Sequence, residues 1–124
     1  MKFMTLVKSS ENSGVPPQAL MDAIAKLGEE AARKGVMVDM GGLMPSAAGA
    51  RVRLSGGKIT VTDGPFAEAR EVVGGYAVFD VPTREDAIHW TTRFMEIHKE
   101  HWKGWEGETE VRQLFEGAPV EGPR

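Results

Sequence analysis

The chain has 124 residues, of which 41% are hydrophobic and 27% charged, with a formal net charge of −3 and no cysteine. That length suits one domain around one core, and the composition lies far from that of a disordered chain. The slight acidity leaves no broad positive field for a phosphate backbone, so no nucleic acid partner is expected; the lack of cysteine excludes disulfides and thiolate chemistry and fits a cytoplasmic location.

Phe3 to Val7, closed by Lys8, is rich in strand formers and too short for a signal segment or membrane span. Met4 and Leu6 fall on one face, Phe3, Thr5 and Val7 on the other, so both faces of this strand read as apolar. After a polar break over Glu11 to Gly14, Pro16 and Pro17 suit the first turn of a helix, and Leu20, Met21, Ile24, Leu27 and Ala31 recur at helical spacing. Arg33 and Lys34 fill its last turn and Gly35 closes it. Val36, Val38 and Met40 then alternate with Met37 and Asp39 as a second strand that stops at Gly41 and Gly42.

Ala50, Val52 and Leu54 alternate with Arg51, Arg53 and Ser55, Gly56-Gly57 supplies a two-residue turn, and Ile59 and Val61 resume the pattern, giving a hairpin with one apolar and one basic face. Asp63-Gly64-Pro65 forms a turn, and Phe66 to Val73 is expected to hold one helical turn before Gly74-Gly75. Tyr76, Val78 and Asp80 alternate with Ala77, Phe79 and Val81 in a strand that again has little polar character on either face. Thr83 is a good N-cap, with Glu85 and Asp86 in the first turn, and Ala87, Trp90, Phe94 and Ile97 mark a second helix that fades around His101 to Gly104. A last strand is expected over Thr109 to Glu116, in a single domain spanning residues 1–117 with a tail over 118–124.

The order strand, helix, strand, inserted hairpin, strand, helix, strand predicts an α+β fold of the ferredoxin-like, split βαβ kind. The first and third main strands then lie mid-sheet, and these are the two that read as apolar on both faces. Two helices cover one face only, so a homodimer packed sheet against sheet is the simplest cover for the other. RNA-recognition modules share this element order, but Val78 and Val81 stand where stacking aromatics belong.

The run Val61-Thr62-Asp63-Gly64-Pro65-Phe66-Ala67-Glu68-Ala69-Arg70-Glu71, followed by Gly74-Gly75-Tyr76, resembles the signature of the DGPF proteins, a branch of the YCII-related family. The resemblance extends to Lys2-Phe3-Met4, Gly35-Val36, Gly42-Leu43 and Gly49 to Arg53. It implies a dimeric α/β barrel and, because genes for DGPF proteins often neighbour or are fused to those for extracytoplasmic-function sigma factors, a regulatory connection. Better-studied YCII relatives pair a histidine near the start of the first helix with an aspartate; that region reads Pro17-Gln18-Ala19-Leu20 here, so the dyad is not carried over.

Candidate site residues cluster around that signature. Asp63, at a strand end, is a general base or ligand anchor, or else the carboxylate of an Asx turn. Glu68 and Glu71, three apart, share a face if their segment is helical and then form a possible acidic pair, unless Arg70 between them marks a solvated turn. Phe66 plugs the core after the turn and is a ligand-binding candidate, as is Tyr76, whose phenol can donate into a cleft. His98 and His101 lie at i and i+3, but a third metal ligand is missing and they read as a solvent-facing pair near a helix C-terminus; Trp102 and Trp105 either wall a pocket or cap the core. No metal or nucleotide motif is present and no cofactor is expected. Two functions follow: a cofactor-independent enzyme or small-molecule binder with its site between the sheet and the hairpin, near Asp63, Phe66, Glu68, Glu71 and Tyr76, or a non-catalytic regulatory or interaction protein linked to sigma-factor-dependent transcription.

Overall fold

The computed structural model describes residues 1–116; the expected C-terminal tail and Gly117 lie outside the described residues. The elements run in the order β1 (Lys2–Ser9), α1 (Gln18–Arg33), β2 (Met37–Gly42), β3 (Ala50–Ser55), β4 (Lys58–Asp63), β5 (Val72–Asp80), α2 (Arg84–His101) and β6 (Gly107–Gln113), with short 3-10 turns at Glu11–Ser13 and Ser46–Ala48. The fold is mixed α+β. Four strands form an antiparallel sheet in the order β2-β5-β1-β6, and β3 and β4 form a separate two-stranded sheet. The doubly apolar strands, β1 and β5, are the central pair, as the split βαβ order requires. No helix among the described residues is long and apolar enough to cross a membrane.

Register decides which residues face the helices. Phe3 stands opposite Phe79 and Thr5 opposite Ala77, and Phe3 and Thr5 are buried at 2% and 4% exposure. Alternation then turns Met4, Leu6, Tyr76 and Val78 to the other face, which neither helix covers; all four are half-buried. The core gathers Phe3, Leu27, Ala31, Phe79, Val81, Ala87 and Trp90, with Trp90 stacked on Phe79 at 6.3 Å between ring centroids.

The helices follow their local signals. Thr83 caps α2 by accepting from Asp86 N–H at 3.1 Å, and Gly35 ends α1 at φ +72°. Arg93 of α2 binds Glu30 of α1 through both guanidinium nitrogens, at 2.5 and 2.9 Å. This fork holds the Glu30 carboxyl down at about 2, so the helix-to-helix tie persists through mild acid.

Three expectations are corrected. In β2 the pairing shifts between Met37 and Asp39, so Met37 and Met40 both face the helices while Val38 is thrown outward, instead of Met40 siding with Val38. Phe66 to Val73 holds no helical turn: a β-turn closes from Ala69 N–H to Phe66 O, and β5 has begun by Val72. The last strand runs over Gly107–Gln113 rather than Thr109 to Glu116, because it pairs with β1 back to Ser9.

Phe3→Ala removes the most central ring of this core, and is expected to cost about 3–5 kcal/mol in urea unfolding. Met4→Ala, on the uncovered face, should cost clearly less in the single chain; equal losses would contradict the register.

Candidate functional site

The Asp63-Gly64-Pro65-Phe66 turn docks on the 3-10 turn at Ser46–Ala48. Gly64 N–H donates to Gly49 O at 2.8 Å, Phe66 N–H to Ser46 Oγ at 2.9 Å, and Ser46 in turn donates its N–H and Oγ–H to the Glu11 carboxylate at 2.6 and 2.5 Å. Those two bonds, the hydroxyl first, hold the Glu11 carboxyl below its ordinary range. Space explains the glycine: a Cβ on Gly64 would lie 1.7 Å from Ser46 O.

Around this turn the sequence-derived residues separate. Asp63 ends β4 opposite Ala50 and is exposed, and the bond that fixes the turn comes from the Gly64 amide beside it. Glu68 is ion-paired to Arg51 of β3, whose guanidinium also stands 3.9 Å from the centroid of the Phe66 ring. Arg51, expected on a solvated basic face, thus clamps the turn to the root of the hairpin. Phe66 is half-buried under that cation, outside the core cluster it was expected to plug. Because their segment is not helical, Glu68 and Glu71 do not form the i, i+3 pair. Phe66, Glu71 and Arg51 border a cavity of about 560 Å³ with Leu43 to Ser46, Val72 and Val73. Tyr76 lies away from this cavity and borders the second one described below; its hydroxyl donates to Asp39 at 3.0 Å on the uncovered sheet face, and that bond raises the phenol above its ordinary value.

A second cavity, about 530 Å³, lies between the helices and the covered face of the sheet. Small residues recur in its wall, Gly28 and Ala31 of α1 and Thr5, Gly75 and Ala77 of the central strands, and the Met40 thioether fills the space beside Gly28. Met21, Met37, Met40, Phe94, Trp102 and Trp105 add apolar walls, so the two tryptophans line a pocket. His98 lines it too, and here the expectation of a solvent-facing histidine fails. His98 is 6% exposed, held between Phe94 and Trp105 with ring centroids 4.5 Å from each, because the segment after α2 folds back and lays Trp105 against it. Its Nδ1 is 3.0 Å from Phe94 O. A carbonyl only accepts, so Nδ1 carries the proton and Nε2 of the neutral ring is an acceptor. Among the described residues Nε2 has no protein partner, and no polar side-chain atom that is sealed from solvent lacks one, so Nε2 stays accessible. Burial pushes the imidazole below its ordinary value.

Residues 1–104 match the YCII-related domain. This protein belongs to the YCII-related family. The match takes in β1 to β5 and both helices, hence every wall of the cavity except Trp105. Among curated proteins none matches the chain of this YCII-related protein. No cluster of three or more His, Cys, Asp or Glu able to hold a metal ion occurs among the described residues.

Two outcomes check this geometry. Gly64→Ala should destabilise the protein by about 1–3 kcal/mol in chemical unfolding, whereas Gly74→Ala, where an added Cβ meets nothing within 4 Å, should be neutral or better. His98 binds a proton less readily folded than unfolded, so its contribution is complete above the unfolded pKa near 6.5 and is lost as pH falls through that value towards the folded one. His98→Gln should therefore flatten the fall in thermal midpoint between pH 7 and 5; an unchanged slope would show that His98 does not titrate as a buried group.

Proposed function

We propose that this YCII-related protein, read as a member of the DGPF branch, is a homodimeric small-molecule binder, and that its ligand lies in the cavity between the helices and the sheet. The observation that carries the reading is the accessible Nε2 of a buried neutral His98 in the wall of a largely apolar cavity of about 530 Å³, which also borders the hydroxyl residues Thr5, Ser9, Ser10, Ser13 and Thr91. That volume falls within the range of small-molecule sites, roughly 300–1,000 Å³, and one directed polar group in apolar walls is how such sites orient a ligand.

The chemistry sets the ligand class. Glu11 is the charged residue that borders the cavity, and its carboxylate is already committed to Ser46. With no counter-ion offered, a charged ligand would lose its hydration uncompensated, so the ligand is neutral. It presents one hydrogen-bond donor to Nε2 and mostly apolar surface to the methionine and aromatic walls. Binding is favoured over catalysis because Asp63, Glu68 and Glu71, the carboxylates proposed for acid and base roles, do not border this cavity. A non-catalytic binder also accords with the regulatory connection that the DGPF resemblance implies.

Indole is a minimal probe, with one N–H donor on an apolar body. It should bind saturably, raise the thermal midpoint and perturb Trp102 and Trp105 fluorescence, while N-methylindole, lacking the donor, should bind at least about 5-fold more weakly, the loss of one hydrogen bond of about 1 kcal/mol. In His98→Phe the difference between the two probes should vanish. Equal affinity of both probes for the native protein would remove His98 from the site, and no binding by either would remove the cavity.

A further inference from the structure

The β3–β4 hairpin is the one part of the described fold without a core. Its two strands pair only with each other, and all their residues are exposed. Gly56 and Gly57, at φ +57° and +76°, close it with the doubly left-handed turn that matches strand twist. Val52 faces Val61 and Leu54 faces Ile59 across the ladder, so these four side chains form one continuous apolar face, yet they are 71, 65, 72 and 67% exposed. A two-stranded ribbon alone in water is marginal, and an open apolar strip this regular is a contact surface.

The same chain carries the complementary defect. Met4, Leu6 and Val78 lie on the sheet face that neither helix covers, and the chain's own hairpin does not fold onto them. Each copy thus holds one apolar strip standing away from its body and one apolar sheet face with nothing over it. A twofold axis satisfies both at once, since strip meets face twice. Both strips are about two-thirds or more exposed along their whole length, so a second copy is the partner that can bury both strips and both faces in one contact.

We infer that the hairpin is an intersubunit arm whose apolar face, Val52, Leu54, Ile59 and Val61, packs on the uncovered sheet face of a second copy of this chain. This inference rests on the homodimer reading and specifies it. The arm is held at a fixed angle at its root, where Arg51 joins Glu68 and Phe66, so it reaches outward as a preformed element rather than ordering on contact.

Because the chain contains no cysteine, crosslinks can be introduced without background. A disulfide requires Cβ atoms within roughly 3.5–4.5 Å, so Leu54→Cys is combined in turn with Met4→Cys, Leu6→Cys and Val78→Cys, and each double variant is oxidised mildly at micromolar concentration. At least one should give a covalent dimer on non-reducing gels, with neither of its single variants doing so. Leu54→Asp/Ile59→Asp should convert the dimer to a folded monomer with unchanged circular dichroism. A native protein that is monomeric by light scattering would overturn the homodimer reading and the arm together. A native dimer in which no pair crosslinks between chains, in which Leu54→Cys crosslinks to itself, or which survives the double aspartate substitution would overturn the arm alone.

Discussion

Phe3 and Phe79 occupy opposite positions on the two central strands, and Trp90 stacks on Phe79 from the helix above. The buried cluster these three rings share holds the register of the sheet. A strand slipped by one residue turns every side chain to the opposite face, so sliding β1 once against β5 would send Phe3 and Thr5 into solvent and bring Met4 and Leu6 beneath the helices. The penalty for exposing a buried ring of this kind is a few kcal/mol, a large share of what a domain this size retains. The consequence reaches both faces. Fixing Phe3 and Phe79 inward leaves Met4, Leu6, Tyr76 and Val78 outward, on the face neither helix covers.

The same register creates the cavity. Once Phe3 and Phe79 fill one end of the space beneath the helices, the next inward positions along the strands are Thr5, Ala77 and Gly75. Gly28 and Ala31 of α1 border the same volume, and so many small residues in one wall leave it unfilled. Aromatic residues from the end of α2 close it from the side. Burial disfavours the charged form of His98, and the Phe94 carbonyl decides which of its nitrogens carries the proton, so one backbone bond determines what this imidazole offers to the space.

Much of the fold was legible because it is local. Period-two alternation identified β1 and β5, Thr83 with Glu85 and Asp86 marked the start of α2, and Gly56-Gly57 marked the hairpin turn. What was not legible depends on contacts between distant segments. The pairing shift at Val38 follows from fitting β2 to β5 and leaves no trace in composition. Helical spacing put His98 next to His101 but did not show that Trp105, past the end of the helix, returns to bury it. The acidic character of Glu68 was plain, whereas its partner, Arg51, is seventeen positions away on a hairpin whose orientation the pattern does not specify. The cavity was invisible for the same reason: small residues at 5, 28, 75 and 77 look unremarkable until the fold gathers them around one space.

Four of the residues around the cavity, Met21, Met37, Met40 and Met44, contribute thioethers. Unbranched, polarisable side chains with three free torsions re-settle around a guest more cheaply than branched ones. A chamber so lined is plastic, and would discriminate weakly by outline. For the ligand proposed above, selectivity would fall to direction rather than fit, resting on how its hydrogen-bonding group meets the imidazole nitrogen and the hydroxyls beside it.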